Sequence, residues 1–141
     1  MEIPLDPALL RAYRASSYLV PSAGLRLRLG EPSPELDSFL RDQGCAEAAF
    51  LSASNPWSRL LPDAENRRRH EELRQTLTAA GWTPLEALGQ ADAGEWPGES
   101  SFFVPAMGRA DLLRQLQHWQ QCAGLHFRPG HEPELVLNPG S

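Results

Sequence analysis

The chain contains no lysine; all 13 of its basic residues are arginine. That absence excludes Schiff-base and other catalytic-lysine chemistry, which needs a side-chain amine that can lose its proton. Arginine suits bidentate recognition of anions, and it is also what codon bias in a GC-rich genome produces. Cysteine is scarce as well. Cys45 and Cys122 form neither a ligand cluster nor a disulfide framework. No apolar run approaches the roughly 18–20 residues of a membrane span. The start, Met1-Glu2-Ile3-Pro4-Leu5-Asp6, lacks the basic and apolar regions of a signal peptide. The expectation is a soluble, cytoplasmic protein.

Positive charge is short too: 13 basic residues against 18 acidic ones leave a net charge of −5. Nucleic-acid binders draw their affinity from a broad basic surface, so this balance argues against one. Walker-type glycine loops, dinucleotide fingerprints, His-Glu-x-x-His, Cys-x-x-Cys and Gly-x-Ser-x-Gly are all missing. His70, His118, His126 and His131 are scattered without metal-ligand spacing. Neither a metal nor a cofactor is expected. Cys122 ends a helical stretch, where the dipole disfavours a thiolate, so a cysteine nucleophile is not expected either.

What is present is ordinary globular material. At 141 residues, with 41% apolar and 22% charged side chains, the chain fits a single domain over 1–141 that buries roughly 70% of its unfolded surface. Asp6-Pro7 reads as the start of a helix carrying Leu5, Leu9, Ala12 and Tyr13 on one face. Ser17–Val20 and the alternating Leu25–Leu29 read as a hairpin, with Arg26 and Arg28 on its solvated face. Ser33-Pro34 caps a second helix that stops at Gly44. Ala46–Ala53 is apolar enough for a central strand, and a helix runs from about Pro62 to Ala80. Thr83–Leu88 is a weaker strand, with Pro84 suited to its first residues or to an edge. Gly89–Gly98 reads as a loop and Ser101–Val104 as a strand. Arg109–Cys122 is helical, and Leu125–Phe127 and Glu134–Leu137 are strands.

From Ala46 onward the order is strand, helix, strand, strand, helix, strand. The fold class expected is therefore α+β: a ferredoxin-like βαββαβ core extended by an N-terminal helix, β-hairpin and helix. In that topology the strand ending at Ala53, the start of the following helix, the loop Gly89–Gly98 and the end of the last helix share one end of the sheet. Asn55, Ser58, Arg59, Asn66, Trp96, Glu99, Ser100 and Gln121 should gather there.

Helical phase refines the picture. Asn66, His70, Leu73, Leu77 and Ala80 follow the 4-3-4-3 spacing of one buried face. Asn66 and His70 should thus point inward, and Arg67 and Arg68 largely outward. An inward amide needs partners or costs roughly 1–3 kcal/mol. Its partners are either the backbone of the Asn55–Ser58 loop or a ligand. Asn55-Pro56 also reads as plain loop closure, and His70 as an inward or boundary histidine rather than a base. Arg59 and Arg67 lie near a helix N-terminus, where anions are favoured.

Four short motifs in this order resemble a bacterial family known only as domain of unknown function 3293: Ala49–Pro56, Glu65-Asn66, Trp96–Ser100 and Gln121–Ala123. Tyr13–Tyr18 and Leu25–Gly30 are similar as well, so the likeness covers nearly the whole chain. Ser52 and Ser54 stand where the family tends to have threonine and an aromatic. The resemblance implies a shared architecture and selects Asn55, Pro56, Asn66, Glu99, Ser100 and Gln121. Phase counted from Leu112 instead turns Gln120 inward, which conflicts with Gln121.

These readings converge on a domain that binds a small anionic ligand at the end of the sheet. Asn55, Asn66 and Gln121 would supply amide hydrogen bonds, Ser58 and Ser100 would lie beside them, and Arg59 and Arg67 would attract the anion. Glu99 is the only credible general acid or base. The alternative is a non-catalytic interaction module in which the polar cluster is structural and exposed Trp57 and Trp96 dock a protein partner.

Overall fold

Ala48–Leu51 is apolar at every position and buried at every position, which only an interior strand covered on both faces allows. In the computed structural model, which describes residues 7–93 and 98–140, this strand is β3. The described residues form helices α1 (Pro7–Arg14), α2 (Pro34–Asp42), α3 (Asp63–Ala79) and α4 (Arg109–Trp119). The strands are β1 (Ser16–Val20), β2 (Leu25–Leu27), β3, β4 (Leu85–Ala91), β5 (Glu99–Pro105), β6 (Ala123–Phe127) and β7 (Glu134–Leu137). All seven lie in one antiparallel sheet of order β2-β1-β4-β5-β3-β6-β7. The class is mixed α+β, and the sheet is larger than a four-stranded core.

The pleat sends neighbouring side chains to opposite faces, and the two aromatics Phe102 and Phe103 divide accordingly. Phe103 joins Phe50, Phe127, Tyr18 and Val20 beneath Leu36 and Leu40 of α2. Phe102 joins Leu51 and Val104 beneath Leu73 and Leu77 of α3 and Leu112, Leu116 and Trp119 of α4. Each fully buried Leu or Phe contributes roughly 1.5–3 kcal/mol, so both layers are anchored by the sheet's centre. Helix α1 differs: it buries no residue completely, and only Tyr13 packs partly against the α2-side core. Ser33 caps α2 by accepting the Leu36 N–H at 3.1 Å. Gly44 ends that helix at φ +67°.

Several boundaries move. β4 starts only after Pro84, which has no N–H to donate, and runs on to Ala91 between β1 and β5. An edge position is therefore out, and Gly89–Ala91 belong to the strand rather than to a loop. β5 begins at Glu99, so Glu99 and Ser100 sit on a strand. Helix α4 stops at Trp119, three residues early, because Gln120 takes the left-handed conformation at φ 60°, ψ 45°. Asp6 and Trp96 lie outside the described residues. No helix among those residues is long and apolar enough to cross a membrane.

Candidate functional site

Between β3 and α3 the chain makes a tight loop in which Asn55, Trp57 and Ser58 all have positive φ, at 49°, 54° and 60°. Asparagine tolerates this region, whereas Trp and Ser pay about 1–2 kcal/mol each. The loop is held in place from both sides. Ser58 N–H donates to Asn55 O at 2.9 Å, and Trp57 N–H donates to the carbonyl of the left-handed Gln120 at 2.7 Å. Two backbone irregularities far apart in sequence thus support each other. Trp57 is half-buried as a result, and does not stand out as a docking aromatic.

The inward amides find one another. Asn66 Oδ1 accepts the Asn55 N–H at 3.0 Å, while Asn66 Nδ2 donates to Asn55 Oδ1 at 2.8 Å and to Leu61 O at 3.4 Å. Asn55 Oδ1 also accepts the Leu61 N–H at 3.0 Å. With its oxygen occupied twice, the Asn55 amide can present only its Nδ2, which donates to Glu99 Oε2 at 3.1 Å. Gln121 is 7% exposed, and its Nε2 donates to Ser54 O and Trp119 O, both at 3.1 Å. The disagreement over Gln120 disappears here, because helical phase does not continue past Trp119. Gln120 is exposed and Gln121 is turned in.

In front of this network is a cavity of about 500 Å³. Asn55, Ser58, Glu99, Gln121 and Cys122 line one side, and Leu9, Ala12 and Tyr13 of α1 line the other. Leu60 and the end of β4 complete the rim. Asn66 does not reach the cavity; it braces Asn55 from behind. Ser100 is exposed, and its carbonyl accepts from Ser52 Oγ at 3.0 Å. Arg59 and Arg67 are exposed and absent from the lining, so the structure does not bring them to the polar cluster. No arginine, lysine or histidine lines the cavity among the described residues.

Burial raises the Glu99 carboxyl above its ordinary value, against the lowering effect of the hydrogen bond from Asn55. Burial likewise pushes Tyr13 up, with Cys122, Tyr18 and Glu99 adding to the shift. The Tyr18 hydroxyl donates to Tyr13 O at 2.9 Å and so ties α1 to the sheet. At the rim, Asp92 is held below its ordinary value by Arg28 and by Ser17, whose Oγ donates to it at 2.6 Å. Arg26 and Arg28 are thus engaged with Asp92 and do not themselves line the cavity.

Reading the sequence missed one arginine that matters structurally. Arg69, not Arg67 or Arg68, turns inward. Its Nε donates to Ala53 O at 2.5 Å and its Nη2 to Trp119 O at 2.7 Å, joining the ends of β3 and α4. The signal was available, since position 69 lies three residues beyond Asn66 and four before Leu73. Arg68 instead pairs with Glu65 and Glu72 on the outside. His70 stacks on Phe102 at 4.2 Å between ring centroids, and its Nε2 lies 2.9 Å from Glu86 Oε2. That is a boundary role, outside the cavity. Among the described residues no group of three or more His, Cys, Asp or Glu side chains could hold a metal.

Fold and site together define an α+β domain with a polar network and a cavity at one end of its sheet. A family model described as "Protein of unknown function (DUF3293)" matches residues 51–123, just over half of the chain, and the chain belongs to that family. The matched segment contains Asn55, Asn66, Glu99 and Gln121, whereas α1 and its side of the cavity lie outside it. No curated protein and no solved structure matches the chain.

Proposed function

We propose that this domain binds a small organic molecule in the cavity between α1 and the end of the sheet. The observation that carries the reading is the division of labour among the amides. Asn66 and the backbone hold Asn55 from behind, and Asn55, Glu99 and Gln121 line a space of about 500 Å³. That volume lies within the usual range for ligand sites, and the strained loop beside it is the kind of feature that functional sites retain. Glu99, its pKa raised by burial, is the group positioned for proton transfer. The order β4-β5-β3-β6, with α3 and α4 on one face, supports a ferredoxin-like reading of the core. The two unbridged thiols, Cys45 and Cys122, support a reducing compartment, and with the family resemblance we assign a bacterial cytoplasmic location.

The test is a fragment screen by protein-observed NMR. Binding should move the side-chain amides of Asn55 and Gln121 and the backbone of α1. Hits that shift only residues remote from the cavity would refute the reading. One observation favours docking of a protein partner instead: Leu60, at the rim, is 67% exposed. A Leu60→Asp variant that loses a co-purifying protein while fragments leave the cavity residues unmoved would decide for that alternative.

A further inference from the structure

We propose that the ligand is an organic amine, its ammonium group held against Glu99 and its apolar part against the α1 side of the cavity. This rests on the cavity being the binding site. Glu99 takes part in no ion pair among the described residues. The other carboxylate at the cavity, Asp92, is already matched by Arg28. Glu99 therefore offers an acceptor without a cation.

The network is arranged to keep it an acceptor. Because Leu61 N–H and Asn66 Nδ2 both donate to Asn55 Oδ1, the Asn55 amide cannot turn over, and only its donor end can face Glu99. A buried carboxylate supplied with an amide donor but no counter-charge pays desolvation, which is the direction of its shift. An ammonium group would supply the missing charge. An anion would meet two carboxylates and no cation in the described lining. No group of three His, Cys, Asp or Glu side chains that could hold a metal ion exists among the described residues. Leu9, Ala12 and Leu60 give the cavity apolar surface that a hydrated inorganic ion would not use. Tyr13 and Tyr18 also line it, and aromatic groups attract ammonium cations.

The experiment compares benzylamine, benzyl alcohol and benzoate, matched in shape, by NMR titration of the full chain. Benzylamine should bind about tenfold or more tighter than either, a difference of about 1.4 kcal/mol, and Glu99→Gln should remove that preference. Should Glu99→Gln fail to fold, the unaltered protein reads the same point through pH. Among the described residues, the other titratable groups that line the cavity are Tyr13, Tyr18, Asp92 and Cys122. Burial raises both tyrosines and Arg28 lowers Asp92, so these three keep their charge while Glu99 ionises. Benzylamine affinity should then rise as pH is raised above 4.5, the ordinary value from which burial shifts Glu99 upward, and do so equally in Cys122→Ser, which lacks the thiol. Equal binding of the alcohol or benzoate, or flat pH dependence, would overturn the amine assignment and leave the cavity standing. Binding of none of the three would overturn both.

Discussion

Arg69 carries more of the fold than its two arginine neighbours because it alone satisfies carbonyls at the ends of two elements. Replacing it with Met would leave Ala53 O and Trp119 O without that donor and cost roughly 2–4 kcal/mol. Arg67→Ala, on the exposed face, should stay within about 0.5 kcal/mol of the parent. Urea denaturation of the two variants measures the contrast, and equal losses would contradict it. Glu99 makes a second residue-scale prediction. Burial raises its pKa above 4.5, so the folded state holds the proton more tightly than the unfolded chain. The stability this provides is complete below the unfolded value and is lost as pH rises through the folded one. Glu99→Gln keeps an acceptor for Asn55 and removes the titration. Without ligand, its melting temperature should gain on the parent's as pH rises above about 4.5; a constant offset would contradict this.

Helix α4 crosses close over β6 at Gly124. A Cβ built at Gly124 would lie 3.0 Å from Leu112 Cδ1, 3.0 Å from Phe50 O and 3.2 Å from Leu116 Cδ2. Glycine at that position lets α4 lie close against the sheet, and with it the turn that carries Gln120 and Gln121. Gly124→Ala should overpack this contact and cost about 1–3 kcal/mol in denaturant unfolding. A neutral or stabilising result would show that α4 has room to shift. Most elements were legible at this scale, because their signals are local: alternation in Leu25–Leu29, the Ser33-Pro34 cap, the apolar run around Phe50, the stripe through Leu73 and Leu77. The end of α4 was not. Nothing between Trp119 and Cys122 is a glycine, and the left-handed Gln120 is stabilised by the Trp57 N–H, a partner distant in sequence.

Across the whole molecule, stability is graded from the sheet's centre outward. β3 is paired on both sides and buried on both faces, so its amides should exchange hydrogen only through global unfolding. α1 has no fully buried residue, so its amides should exchange through smaller, local openings. Native-state hydrogen exchange in low denaturant measures both, and equal protection would contradict the gradient. The helix that lines the cavity, α1, is thus the one with no residue buried in the core.

Among the described residues, the seven strands, the four helices and the nearness of Asn55, Asn66 and Glu99 at one end of the sheet followed from the sequence by itself. Periodicity, caps and connection order are local properties, and they restrict the topology to few choices. Only the tertiary structure decided what happens at that end. It turned Arg69 inward and left Arg59 and Arg67 outside, chose Gln121 over Gln120, put Asn66 behind Asn55 and opened a cavity with a carboxylate but no cation in its described lining. The physical reason is that each outcome depends on distances between elements. A left-handed residue is tolerated where another loop supplies its partner. A cavity is the volume left when α1 rests against the sheet through Tyr13 and Tyr18 without filling the space beside Glu99.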